Sequence, residues 1–360
     1  MSSLSSLELS SFRNIERAQL SLASAINLIW GENGSGKTSL LESIHLLATG
    51  KSFRTSLVDP MIMDSAPESV IFAKTEESTT IGLSKPRNQK HRLKLNNEAQ
   101  KNWDEVARAL PIQVLDSSSF QLLEGGPKAR RRFMDWGVFH VKPQFVEQWR
   151  RSRKALANRN RLLKAQRFDE AQMQAWDREL SLAAAQIDEA RKSYMDELLP
   201  IFEAVFHELC GALADDLSIA YKSGWEEGTD LYDQLQLNRS QDIKYGSSQI
   251  GPHRADIEIK QGRRKALELL SRGQQKLLVC SLKIAQGKLL SEVMDQQCIY
   301  LVDDLPAELD SENRRKVMTH LRGLGSQLFV TCVDRSALDL SGLEGLKVAT
   351  FHVERGIIKD

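Results

Sequence analysis

Cysteine is scarce. Only Cys210, Cys280, Cys298 and Cys332 occur in 360 residues, far apart and with no paired spacing, which excludes a disulfide framework or a Cys-based metal knuckle. Cys280 and Cys298 lie inside apolar runs, the setting of buried free thiols in a reducing compartment. No apolar run approaches the length of a membrane span. Glu8, Arg13, Glu16 and Arg17 interrupt the stretch where a signal peptide would need unbroken apolar residues. A cytoplasmic location with no membrane partner is therefore expected. A net charge of +1 gives no global sign of a nucleic-acid partner. With 41% hydrophobic and 27% charged residues, the chain reads as globular, large enough for one big domain or two ordinary ones.

The richest stretch is 25–44. A short apolar run ending at Trp30 reads as a buried strand and Ser39 to Leu47 as a helix. Between them, Gly31-Glu32-Asn33-Gly34-Ser35-Gly36-Lys37-Thr38 matches the phosphate-binding loop in full. Glycine lets backbone wrap an anion with its N–H groups inward, and the helix N-terminus adds partial positive charge. Lys37 is placed to reach β- and γ-phosphates and the Thr38 hydroxyl to hold Mg²⁺. These residues point to a nucleoside triphosphate with Mg²⁺.

Residues 4–29 alternate apolar and polar, the period of two or three strands. Residues 50–54 read as an exposed turn and 69–115 as short strands. Within these, 85–94 carries five Lys/Arg and no acid, either a hairpin tip facing an anionic partner or a solvated loop. Near Gly125-Gly126-Pro127 the character changes, and to about Pro200 the pattern is helical. Met173, Trp176, Leu180, Ala183, Ile187, Ala190, Tyr194 and Leu198 keep the three-four spacing of a helix packed on another. Residues 144–165 form the antiparallel mate, joined near Arg167-Phe168-Asp169. Residues 234–268 read as mixed strand. The expected division is 1–125 for an N-terminal part with the phosphate loop, 126–249 for a helical insertion and 250–360 for a C-terminal part that completes the first.

Charge is segregated. Residues 127–167 hold thirteen Lys/Arg against Asp135 and Glu147, and 168–233 hold sixteen Asp/Glu against four bases. The two helices could pair their charges. Alternatively, surplus bases on a free face would contact a phosphate backbone, with Arg130, Arg131, Arg150, Arg151, Arg153 and Lys154 as candidates. No module for sequence-specific readout is present.

A second anchor lies near the C-terminus. The apolar strand 298–302 ends in Asp303-Asp304. Mg²⁺ needs a carboxylate opposite Thr38, which makes Asp303 the metal-side candidate; Asp304 is placed to orient or deprotonate the attacking water. Lys37, Asp303 and Asp304 are the catalytic candidates. Upstream, Leu270-Ser271-Arg272-Gly273-Gln274-Gln275 opens a helix to about Leu290; downstream come Glu308-Leu309-Asp310, a helix and a closing strand at 327–331.

Together these features resemble the ABC-type ATPase heads of the SMC and Rad50 group. The implied fold is α/β, an ABC-type P-loop head with mixed central sheet and flanking helices, carrying an inserted helical-hairpin subdomain. In that group the signature Ser and Gly contact the γ-phosphate held by the opposite subunit, so Ser271 and Gly273, with Gln274, would bind nucleotide in trans in an ATP-dependent homodimer. The chain further resembles the bacterial RecF family through Leu9-x-x-Phe12-Arg13-Asn14, the phosphate loop, Gly125-Gly-Pro-x-x-Arg130-Arg131-x-Phe133-x-Asp135, Gly251-Pro-His-Arg254 and Ser271-Arg-Gly-Gln-Gln-Lys276. The resemblance implies sequence-independent binding of single-stranded DNA and gapped duplex junctions, RecR and RecO as partners, loading of the RecA recombinase and support of the SOS response. It also implies weak, DNA-dependent ATP hydrolysis used as a switch.

Some positions depart from the wider ABC pattern. Arg272 replaces the usual first signature Gly, and Asp304 replaces the usual Glu, a shorter reach that implies slow hydrolysis. No His follows the closing strand, where Thr331 or Asp334 stands instead. Gln113 is a candidate for the glutamine loop. His253 and Arg254 are either functional or part of a structural turn. The competing function is an ABC-like switch that acts on protein partners without touching DNA.

Overall fold

The computed structural model describes residues 3–55, 57–165, 169–335 and 345–359. The expected turn at Arg167-Phe168 lies outside them. The chain divides into two compact units, one of Met1–Phe120 with Lys276–Asp360, the other of Gln121–Gln275.

The first unit is built on a strand whose sequence leaves it no exposed face. Ile26–Trp30 (β3) is buried along its length but for the terminal Trp30, and its one polar residue, Asn27, bonds Ala23 N and O at 2.8 Å each. Such a strand belongs inside a parallel sheet covered on both sides. It pairs in parallel with Leu328–Cys332 (β13) and Val348–Glu354 (β14). Ile299–Val302 (β12) runs parallel between β13 and Ile112–Leu115 (β8). Ile357–Lys359 (β15) closes the other edge antiparallel, giving the order β15-β14-β3-β13-β12-β8.

A second sheet, wholly antiparallel, has the order β2-β1-β4-β5-β6-β7: Ile15–Ser21, Leu4–Phe12, Glu68–Thr75, Thr80–Pro86, Arg92–Leu95 and Glu98–Ala99. Its inward residues, Leu7, Leu9, Ile71, Ala73, Ile81 and Leu83 among them, share one apolar core with Leu301, Phe329 and Phe351 of the parallel sheet. Lys37–Thr49 (α1) runs through that core. Leu40, Leu41, Ile44, Leu46, Leu47 and Ala48 are all buried, and so are the polar Lys37, Ser39, Glu42 and Ser43, so the helix is an interior one. Phe53, expected in an exposed turn, packs against this core.

The second unit centres on a helical hairpin of Phe145–Leu163 (α5) and Glu170–Cys210 (α6). Asp169 caps α6, its carboxylate accepting from Gln172 N at 3.0 Å. The sequence pattern predicts helix to about Pro200, yet α6 continues ten residues past it. Met195, Leu198, Phe202, Val205, Phe206 and Leu209 carry the buried stripe across the proline, and that packing outweighs the one backbone bond proline forfeits. Residues 231–245, partly read as strand, are instead two short helices, Leu231–Leu237 and Arg239–Tyr245. The Asp230 side chain caps the first, accepting from Tyr232 N at 2.7 Å. Asp256–Gln261 (β10) pairs antiparallel with Leu217–Lys222 (β9), so this strand packs in the second unit.

Between α5 and α6 lies a fully buried ion cluster. Arg159 donates to Asp177 at 2.5 Å and to Asp242 and Ser248 at 2.7 Å each, with Arg159, Asp177 and Asp242 all 0% exposed. Removing Arg159 would take the buried counter-charge from Asp242, at a cost of about 3–5 kcal/mol, while Asp177 keeps Arg239 at 2.9 Å.

Candidate nucleotide-binding site

The carboxyl ends of β3, β12 and β13 converge on one cleft, the location ligands take in open α/β sheets. Its volume is about 710 Å³, and its lining includes Asn33, Gly34, Gly36, Lys37, Thr38, Asp303 and Asp304. The loop 31–36 leaves β3 through Gly31 at φ +150°, where a Cβ would meet the Val353 carbonyl at 2.2 Å. Gly36, at φ +123°, would press a Cβ on the Asn14 amide at 3.0 Å. Asn14 in turn donates to Ser35 O at 2.9 Å and accepts from Ser39 Oγ at 3.2 Å, pinning the loop to the helix that follows. The Ser35 hydroxyl is buried with no partner among the described residues.

Lys37 is buried and its ammonium donates to Gly31 O at 2.6 Å and Glu32 O at 2.9 Å. Burial pulls its pKa below the usual lysine range, while Asp304 and Asp303 pull it back up. Thr38 Oγ1 lies 3.1 and 3.0 Å from the two Asp303 oxygens. Burial pushes the Asp303 carboxyl above its ordinary pKa, against the donors Thr331 and Thr38; Asp116 and Asp304 push it further up. The sequence-predicted Lys37, Thr38, Asp303 and Asp304 are thus brought together, although 265 residues separate Thr38 from Asp303.

Thr331 is the residue the motif left undefined. Fully buried at the end of β13, it donates to Asp303 Oδ1 at 2.7 Å and accepts from Asp304 N at 2.8 Å. Asp304 sits at φ +49°, a left-handed conformation that costs a non-glycine residue about 1–2 kcal/mol. One hydroxyl therefore fixes both acids. Sequence reasoning noticed the missing His but had no spacing rule for a residue that acts through two neighbours on another strand.

The rest of the cleft was not foreseen as part of the site, although Arg13 and Asn14 stand in one of the motifs that carry the resemblance. Its lining also includes Arg13, Asn14, Arg54 and the loop residues Pro60, Ile62, Met63, Asp64 and Ser65. Arg13 forks onto Glu42 of α1 at 2.9 and 2.6 Å, with Glu42 fully buried, and donates to Pro60 O at 2.8 Å. Gln113 lies elsewhere: buried on β8, it donates to Gln286 at 2.9 Å.

In the second unit, Ser271 and Gln274 form a capping box at the start of Arg272–Met294 (α10), with Ser271 N donating to Gln274 Oε1 at 2.8 Å and Gln274 N to Ser271 Oγ at 3.3 Å. Ser271 and Gly273 are exposed, and a Cβ on Gly273 would meet nothing within 4 Å. Arg130 forks onto Asp256 at 2.7 and 2.8 Å and Arg131 donates to Ala255 O at 2.6 Å. Arg151 pairs with Glu179 at 2.9 Å and Arg153 lies 5.0 Å over the Trp149 ring. Arg150, Arg153, Lys154, Arg161 and Lys164 are exposed on α5 or its end, at the spacing of one helix face. His253 faces Ser248 O at 3.0 Å, and burial pulls its pKa down to about 4, so the Gly251-Pro-His-Arg254 stretch is built as a turn.

Comparison with known proteins agrees with this arrangement. The family model described as "RecF/RecN/SMC N terminal domain" matches residues 3–358. The chain is 42% identical over 358 residues to the protein of Pseudomonas paraeruginosa called "DNA replication and repair protein RecF", covering 98% of this chain and 96% of that one. The protein of Stutzerimonas stutzeri with the same name is 44% identical over 360 residues, covering 99% and 97%. The chain belongs to the RecF family. Among solved structures, one described as "Structure of the recombination mediator protein RecF-ATPrS in RecFOR pathway" is 25% identical with a TM-score of 0.86, covering 99% of this chain and 97% of that chain. An SMC head bound to the C-terminal winged-helix domain of ScpA, 16% identical with a TM-score of 0.57 over the same shares, shares the fold alone. The expected ABC-type head with an inserted helical hairpin is borne out. Among the described residues, no helix is long and apolar enough to cross a membrane.

Proposed function

We propose that the chain is an ATP-dependent DNA-binding protein of recombinational repair and replication restart. It binds ATP with Mg²⁺, dimerises on it, engages single-strand/double-strand junctions at gaps, and works with RecR and RecO to load RecA and support the SOS response. Hydrolysis is slow and resets the switch. The observation that carries the reading is the cleft in which Lys37, Thr38, Asp303 and Asp304 meet on a chain of this family. Mg²⁺ fits the donors present. Thr38 and Asp303 offer hard oxygens, and Mg²⁺ is ordinarily held by one or two carboxylates with phosphate oxygens and water completing an octahedron. Lys37, drawn back onto loop carbonyls, has a phosphate to turn to, and the orphaned Ser35 hydroxyl is a further donor within the loop. Asp304 is the group that takes or orients the proton of the attacking water.

The exposed bases of α5 support the DNA reading, since phosphate contacts need charge on an open face and no base readout. The commitment of Arg130, Arg131 and Arg151 to internal partners favours the second reading, a switch on protein partners without DNA. Sedimentation with and without ATP tests the switch. The parent is expected to dimerise with ATP. Lys37→Ala loses nucleotide binding and the dimer, whereas Ser271→Ala binds ATP yet stays monomeric. Ser271→Ala dimerising like the parent would refute trans binding by the signature.

A further inference from the structure

The basic face of α5 ends beside an exposed aromatic ring. Arg150, Arg153, Lys154, Arg161 and Lys164 follow one another at helical spacing, a row about 21 Å long at about 1.5 Å per residue. That length matches about six phosphates of one DNA strand, at about 3.4 Å each. At the end of the row the Lys164 stem lies against Gly246, where an added Cβ would meet its Cγ at 3.3 Å. Gly246 closes the short helix Arg239–Tyr245 in a left-handed conformation, at φ +63°. Its neighbour Tyr245 is 62% exposed, and the Lys244 ammonium lies 5.9 Å from the centre of that ring.

The backbone under the ring is clamped. Asp242 and Ser248, on either side of it in sequence, are buried, and both accept from Arg159 of α5 at 2.7 Å. Ser248 donates from N and from Oγ to Asn160 Oδ1 at 2.8 Å each, and Gln249 N donates to Asp242 at 2.9 Å. The clamp thus presents the Tyr245 ring to solvent on a fixed base. An aromatic face set among ammonium groups stacks a free base and draws in the phosphates beside it, whereas bases paired inside a duplex have no free face to offer. We propose that this tip of the helical hairpin is a subsite for an unpaired base of DNA, with Tyr245 stacking on the base and Lys164 and Lys244 holding the flanking phosphates. The row on α5 takes the duplex backbone up to the point where pairing ends. The inference rests on the DNA reading above and names the part of a gapped junction that this surface selects.

Fluorescence titrations of the full chain with Mg·ATP, against a gapped duplex and a blunt duplex of equal length, test it. The parent is expected to bind the gapped duplex more tightly. Tyr245→Ala should lower affinity for the gapped duplex about tenfold, the scale of one lost stacked base, and leave the blunt duplex unchanged. The slope of log affinity against log salt should stay at the parent value, because no phosphate contact is lost. Tyr245→Phe keeps the stacking face and should bind like the parent. With the parent binding both duplexes, equal losses on the two in Tyr245→Ala, no loss on the gapped one, or a Tyr245→Phe variant as weak as Tyr245→Ala would overturn the inference and leave the DNA reading standing. If the parent binds neither duplex, the DNA reading fails and the subsite with it.

Discussion

Replacing Thr331 by Val keeps the shape of the side chain and removes one oxygen. That oxygen donates to Asp303 Oδ1 at 2.7 Å and accepts from Asp304 N at 2.8 Å, in a residue 0% exposed. A hydrogen bond to a charged group contributes about 1.5–3 kcal/mol, and a buried donor left without a partner costs about 1–3 kcal/mol. The two losses share one atom, so a total of about 2–4 kcal/mol is a reasonable bound. Part of it falls on the fold and part on catalysis, because Asp304 at φ +49° is then free to relax toward an ordinary backbone conformation. If about 2 kcal/mol reaches the transition state, turnover falls about thirtyfold. Binding should change far less, since Lys37 and the phosphate loop do not touch Thr331. Single-turnover ATP hydrolysis with a fluorescent-nucleotide binding assay separates the two effects. Thr331→Ser retains the hydroxyl and should recover most of the rate. Parental turnover in Thr331→Val, or a Thr331→Ser enzyme no better than it, would refute the reasoning.

Two further outcomes are expected. Changing Arg150, Arg153 and Lys154 to Ala should weaken binding to any gapped duplex and flatten the slope of log affinity against log salt by up to about three units; an unchanged slope in a fluorescence titration would move the DNA surface elsewhere. His253 and His45 both have pKa values held near 4, below the ordinary 6.5, chiefly by burial. The unfolded chain therefore binds their protons more tightly, and the stability they contribute is complete above pH 6.5 and is lost as pH falls toward 4. Urea titrations at pH 7 and pH 5 should differ by about 2 kcal/mol less in His253→Gln than in the parent, and equal differences would contradict that.

What the sequence made legible is what local chemistry or strict period specifies. The phosphate loop announces itself because only glycine tolerates the backbone at Gly31, and β12 does because an apolar strand ends in two acids. The α5–α6 hairpin shows in its three-four stripe. The rest failed for identifiable reasons. Pro200 reads as a stop, yet Phe202, Val205 and Phe206 keep the helix packed beyond it. Arg87 sits in a run of bases and looks solvated, and only tertiary structure turns its fork onto loop 59–66. Arg130 and Arg131 looked available, but they bind Asp256 and Ala255 O more than 120 residues away. Thr331 acts by bridging Asp303 and Asp304 across two strands, a relation no linear spacing encodes.

The central claim is that nucleotide chemistry in this cleft answers to DNA. Steady-state ATP hydrolysis, measured with and without a gapped duplex at low salt, tests it most directly. The account expects a slow basal rate that rises severalfold on DNA, with the rise lost in the Arg150, Arg153, Lys154 triple variant and all hydrolysis lost in Lys37→Ala. A rate indifferent to DNA in the parent, with ATP still bound and cleaved, would contradict it and favour a switch that acts on protein partners alone.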